Sequence, residues 1–173
     1  MSEPEIWLRV YRATLDTNIF LRALIRKGNV SDRILELWQT GRFVLVLSQV
    51  ILDEIRDVLL RPSLLRKYRY SPEIATQLMD LLTQRAIIVD VPFSLELCRD
   101  PNDDPFIDCA VLGRVHFLVS YDNDLLDHPQ LRRALFEFGI EILSPPTFIE
   151  KIRDAELTPS EGAGGRKSTR QRT

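Results

Sequence analysis

Apolar positions along the chain fall into two alternating kinds of run. Short apolar stretches at Trp7–Leu15, Phe43–Leu47, Ala86–Val91, Phe117–Ser120 and Glu141–Leu143 have the length and composition of strands. The unbroken Phe43-Val-Leu-Val-Leu47 is the pattern of a strand buried on both faces. Between these runs lie helical patterns. One covers Asn18–Lys27. Ser31 caps a second that ends near Gln39, and Ser48 caps a third that runs through Leu60. Pro62 opens a short basic piece to Arg69, and Ser71-Pro-Glu opens a helix reaching Gln84. Asp104–Leu112, Pro129–Phe138 and Thr147–Asp154 complete the set. In the helix after Ser48 the buried stripe reads Val50, Ile51, Ile55, Val58 and Leu59. Gly28, Gly41, Gly113 and Gly139 each follow a helical pattern, where a left-handed residue ends a helix. Strands alternating with helices imply βαβ units, and hence an α/β fold with a mostly parallel sheet covered on both faces.

Composition adds limits. The chain has 173 residues, the size of one domain, assigned here to residues 1–157. Residues 158–173 are rich in Gly, Ser, Thr and Arg and predict a disordered basic tail. In that tail Arg166, Lys167, Arg170 and Arg172 face Glu161 alone, so the formal net charge of -2 hides an acidic body. An acidic body argues against gripping nucleic acid by bulk electrostatics. Two cysteines, Cys98 and Cys109, are too few for a disulfide framework and suit the reducing cytoplasm. No apolar run approaches the ~18 residues of a membrane span. The acidic N-terminus is not a signal peptide.

The candidate chemistry is carboxylate chemistry. In an open parallel sheet, ligands sit outside the carboxyl ends of the strands. The first strand ends in Asp16-Thr-Asn18, and Phe117–Ser120 ends in Tyr121-Asp122-Asn123-Asp124. The helix after Ser48 carries Asp53, Glu54 and Asp57, and Asp100-Pro-Asn-Asp103-Asp104-Pro-Phe-Ile-Asp108 opens another helix. Gathered carboxylates repel one another, and a cation offsets the repulsion. Oxygen-only ligands select hard ions, here one or two Mg²⁺ or Mn²⁺, which serve phosphodiester hydrolysis. With only His116 and His128 and no CxxC spacing there is no zinc site. No glycine-rich phosphate loop or Gly-x-Ser-x-Gly elbow occurs either. Asp53 and Asp57 read as solvated surface charges, and Asp103 and Asp124 as helix caps. Asp104 and Asp108 share one helix face, with Asp108 inside an apolar stretch.

Taken together, Leu15-Asp-Thr-Asn18, Glu54 after Ser48, Asp104-Pro-Phe-Ile-Asp108 and Val119-Ser-Tyr-Asp-Asn-Asp124 resemble the PIN-domain nucleases. The likeness runs from about Val10 to Ile152. It is closest to the stand-alone bacterial toxin components of toxin–antitoxin systems, the VapC-like ribonucleases. The resemblance implies a three-layer α/β/α sandwich and Mg²⁺- or Mn²⁺-dependent cleavage of RNA. It implies an acidic quartet of Asp16, Glu54, Asp104 and Asp122 that holds the metal and does the catalysis. Asn18 would orient the first carboxylate, and Ser120 would support the loop holding Asp122. Asp108 is a candidate fifth acid, and Asp124 an alternative to Asp122. A small antitoxin protein and a homodimer are further implications.

Arg61, Arg66, Lys67 and Arg69 cluster near Tyr68 and Tyr70, and this segment reads either as an RNA contact surface or as a solvated helix pair. Phosphates would meet the bases and nucleobases would stack on the tyrosines. Two other functions fit parts of the pattern. A phosphatase with an aspartyl nucleophile wants a second carboxylate two positions after Asp16, where Asn18 stands. A non-catalytic binding module would keep the fold without using the acids.

Overall fold

The computed structural model describes residues 10–92, 94–95 and 104–157. Five strands form one all-parallel sheet: β1 (Tyr11–Leu15), β2 (Phe43–Ser48), β3 (Ile87–Val89), β4 (Phe117–Val119) and β5 (Glu141–Leu143). Their spatial order is β3-β2-β1-β4-β5. The chain therefore steps outward from β1 in one direction, then returns to β1's other side and steps outward again. The point between β1 and β4 where the winding reverses is a switch point, where a crevice opens at the carboxyl ends of the strands.

Helices α1 (Thr17–Ile25) and α2 (Val30–Gln39) link β1 to β2. Then α3 (Gln49–Leu59), α4 (Pro62–Tyr68) and α5 (Pro72–Arg85) lead to β3. The helix α6 (Asp104–Leu112) precedes β4, while α7 (Asn123–Leu126) and α8 (Pro129–Glu137) precede β5. The final helix is α9 (Pro145–Leu157). The register puts Tyr11, Ala13, Phe43, Leu45 and Phe117 on one sheet face and Arg12, Thr14, Val44 and Leu118 on the other. On the first face Phe148 of α9 meets Phe43 and Phe117, ring centroids 5.0 and 5.7 Å apart. On the second face Cys109 of α6 lies against Thr14 and Val46. The result is an α/β/α sandwich with two apolar layers, in which Leu15, Leu45, Leu47, Leu118 and Val119 are fully buried.

Four details depart from the sequence pattern. Asn29, not Ser31, caps α2: its Oδ1 accepts from the Asp32 N–H at 2.8 Å, and Ser31 is buried within the helix. Val50 is 57% exposed, and the buried stripe of α3 is Ile51, Leu52, Ile55 and Leu59. The phase of the helix is set by its Ser48 cap, and Val50 falls on the solvent side. Gly113 does not adopt the left-handed conformation taken by Gly28, Gly41 and Gly139; Arg114, with φ 48°, does so instead. Gly113 is needed for closeness, since a Cβ there would sit 2.6 Å from both the Cys109 carbonyl oxygen and Val46 Cγ1. The short helix α7 has no apolar pattern of its own, and Asp122, not Asp124, caps it. Trp7 to Arg9, Cys98, Asp100, Asp103 and the 158–173 tail lie outside the described residues.

Candidate active site

The site is built where β1 and β4 end side by side. Asp16 follows the last residue of β1, and its backbone N–H donates to the carbonyl of Val119, the last residue of β4, at 2.9 Å. Its extended backbone makes it the N-cap of α1, so Oδ1 accepts from the Asn18 N–H at 3.2 Å. Asn18 thus holds the first carboxylate through its backbone, and its side chain is exposed. Ser120, fully buried, donates its Oγ–H to Asp16 Oδ2 at 2.6 Å. Ser120 Oγ in turn accepts from the Asp122 N–H at 2.9 Å. One hydroxyl therefore ties together two chain segments 104 residues apart.

Asp122 is the N-cap of α7, with Oδ1 accepting from the Asp124 N–H at 2.8 Å. Both Asp122 and Asp124 are exposed. The intervening Tyr121 anchors this loop: its hydroxyl lies 2.9 Å from Ser31 Oγ, and the Arg22 guanidinium sits 4.2 Å over its ring. Tyr121, Ser31 and Arg22 were not singled out from sequence for the site, although Tyr121 lies within the Val119–Asp124 motif.

Glu54 stands in the second turn of α3, half-buried. Burial pushes its carboxyl above the ordinary 4.5; the Thr17 hydroxyl opposes the shift, and the Asp16 charge adds to it. Thr17 Oγ1 is buried without a hydrogen-bond partner, so it favours the charged form by proximity rather than through a well-formed hydrogen bond. Thr17 is a further site residue that the sequence pattern did not single out.

Asp104 and Asp108 sit on α6, which packs over β1, β2 and β4. A helix that feeds a parallel strand runs antiparallel to it, so α6 starts at the same carboxyl edge as Asp16. Asp104 is buried there at the first helical position. Asp108, one turn deeper and also buried, accepts from the Leu95 N–H at 2.9 Å and pins the chain leading toward α6. Asp53 accepts from Gln49 and Arg56 on the surface of α3.

The basic cluster is only partly suited to RNA. Arg61, Arg66, Lys67 and Arg69 are exposed in and around α4, and Lys67 Nζ lies 5.0 Å from the centre of the Tyr68 ring. Tyr70 cannot stack on a nucleobase, because it is 8% exposed and its hydroxyl donates to the Leu59 carbonyl at 2.9 Å.

The donor chemistry at the strand ends suits a hard cation. The Asp16 charge raises the cost of ionising Glu54, and the unpartnered Thr17 hydroxyl adds a neutral oxygen. Among the described residues no three acidic, histidine or cysteine side chains already stand close enough to enclose an ion.

A doubly wound parallel sheet with Asp16 and Asp122 linked at its switch point places the chain in the α/β class. A family model for the PIN domain matches residues 12–124, from β1 through the start of α7, and the chain belongs to the PIN-domain family. PIN domains form a nuclease superfamily that typically depends on divalent metal ions. The chain is also similar to an uncharacterized protein of Methanocaldococcus jannaschii, MJ1680. The two are 27% identical over 143 residues, which cover 82% of this chain and 91% of the relative. No helix among the described residues is long and apolar enough to cross a membrane.

Proposed function

We propose that this protein is an endoribonuclease that cleaves RNA phosphodiester bonds with Mg²⁺ or Mn²⁺, and that Asp16, Glu54, Asp104 and Asp122 hold the one or two ions. The observation that carries the reading is the Asp16–Ser120–Asp122 chain of hydrogen bonds at the switch point, with Glu54 near enough to feel the Asp16 charge. A divalent cation bound there supplies an activated water and charge stabilisation on the leaving oxygen. The protein's own groups fix the geometry. Ser120 orients Asp16 by one oxygen and the Asn18 N–H orients it by the other. Thr17 stands beside Glu54, and the Tyr121 anchor holds the loop that presents Asp122. Arg61, Arg66, Lys67 and Arg69 supply phosphate contacts along the RNA. In the cell the protein acts in the cytoplasm as a homodimeric toxin restrained by a small antitoxin.

Incubation of purified protein with RNA and Mg²⁺ or Mn²⁺ tests this. Cleavage should appear with metal, vanish with EDTA, and vanish in Asp16→Asn while the variant keeps its fold. Full activity in Asp16→Asn would overturn the mechanism. Growth arrest on expression, relieved by co-expressing a small antitoxin protein, tests the toxin role.

A further inference from the structure

A second charged feature lies away from the carboxylates. Arg33 and Glu36 of α2, Arg42 just before β2, and Arg153 of α9 line a cavity of about 290 Å³ whose apolar lining includes Leu37 and Ile149. Three guanidinium groups face a single carboxylate. Arg42 makes a contact of its own. Among the described residues the side chains of Arg33, Glu36 and Arg153 take part in no ion pair or hydrogen bond. Across the α2–α9 groove, Arg33 and Arg153 are thus held in no ion pair among the described residues, with Glu36 the one carboxylate in the lining.

The position of the cavity separates it from the candidate active site. Arg42 precedes the first residue of β2, whereas Asp16 lies beyond the carboxyl ends of the strands. The six residues of β2 span roughly 20 Å. An anion held by these arginines is therefore not the phosphate under attack at Asp16.

We propose that this groove is a phosphate-binding site, with Arg33 and Arg153 as its two principal donors. A guanidinium presents a planar fork of N–H groups that matches a tetrahedral oxyanion, and it stays charged at any physiological pH. The cavity is at the small end of ligand pockets and admits a phosphate with part of the body that carries it. The apolar lining by Leu37 and Ile149 suits the ribose or base attached to that phosphate. The phosphate is supplied either by a free nucleotide or by the backbone of an RNA strand.

The test uses full-length protein carrying Asp16→Asn, with chelator present, so that no RNA is cut and the candidate active site is disabled. Inorganic phosphate, AMP and a short single-stranded RNA are titrated by calorimetry into this protein and into the same protein with Arg33→Ala and Arg153→Ala. At least one probe should bind, and the double arginine variant should weaken it by at least about tenfold. Loss of phosphate and AMP binding assigns the site to free nucleotides, and loss confined to RNA assigns it to the strand. Removing the lone acid with Glu36→Gln should tighten the same probe. All three arginine-groove side chains changed in these tests are exposed, so an unchanged melting curve is expected. Equal binding by the double variant, or no binding of any probe, overturns the proposal. Neither result depends on whether the protein cleaves RNA.

Discussion

Replacing Ser120 by Ala removes one oxygen atom and should disturb both stability and the site. The hydroxyl is fully buried, donates to Asp16 Oδ2 at 2.6 Å and accepts from the Asp122 N–H at 2.9 Å. A hydrogen bond to a charged group contributes about 1.5–3 kcal/mol, and an amide left without a partner adds to the loss. The Asp122 end is exposed, so water can recover part of the second term. The expected cost is therefore about 2–3 kcal/mol in chemical denaturation. For a chain of this size that is a fall of roughly 5–10 °C in Tm. Under the proposed metal role of Asp16, losing the group that orients it should cost ~10–100-fold in metal affinity or activity, so Mn²⁺-dependent stabilisation and RNA cleavage should fall in step. Ser120→Thr keeps the hydroxyl and should restore part of both. A Ser120→Ala protein with unchanged denaturation midpoint and unchanged Mn²⁺ response would refute the assigned role of this side chain.

Three further outcomes follow from the same geometry. Ionising Glu54 costs the folded state more than the unfolded one, so stability is lost as pH rises from 4.5 through the raised folded value. In chelator, Glu54→Gln should escape this loss and melt higher than the parent at neutral pH, with the gap closing below pH 4.5; parallel melting at every pH would contradict it. Gly113→Ala places a methyl 2.6 Å from the Cys109 carbonyl oxygen and Val46 Cγ1. It should cost about 1–3 kcal/mol in chemical denaturation, and a neutral result would show that the α6 terminus moves freely. Burial pushes the Cys109 thiol up to about 11 from 9.0. In a Cys98→Ser background it should resist thiol reagents at pH 8 until the protein unfolds. Stability should fall as pH rises from 9.0 through about 11.

The alternation of apolar runs and helical patterns carried the fold, because a strand covered on both faces has to be apolar at nearly every position. Phe43–Leu47 was readable for that reason. Helix starts were readable where one capping residue stood alone, as at Ser48 and Ser71. They were not where two stood close together: Asn29 and Ser31 both cap well, and only the packing of Ser31 against Tyr121 decides between them. The strand-end rule put Asp16 and Ser120 at one edge. It could not show that Asp122 turns to cap α7, that Asp108 turns inward to Leu95, or that Tyr70 is consumed by the Leu59 carbonyl. Each of those outcomes depends on a partner distant from the motif or on a backbone turn that periodicity does not encode.

The Asp16–Ser120 hydrogen bond has a consequence for synthesis. Its two ends are separated by 104 positions, and the β1–β4 pairing beneath it is equally distant in sequence. A nascent chain that has already made β1, β2 and β3 still lacks the second wall of the crevice. Long-range closure of this kind comes late, because the entropy of the intervening loop must be lost before any contact offsets it. The emerging polypeptide can therefore bring Asp16 and Glu54 together through β1 and β2, but Asp122 joins them only when β4 docks.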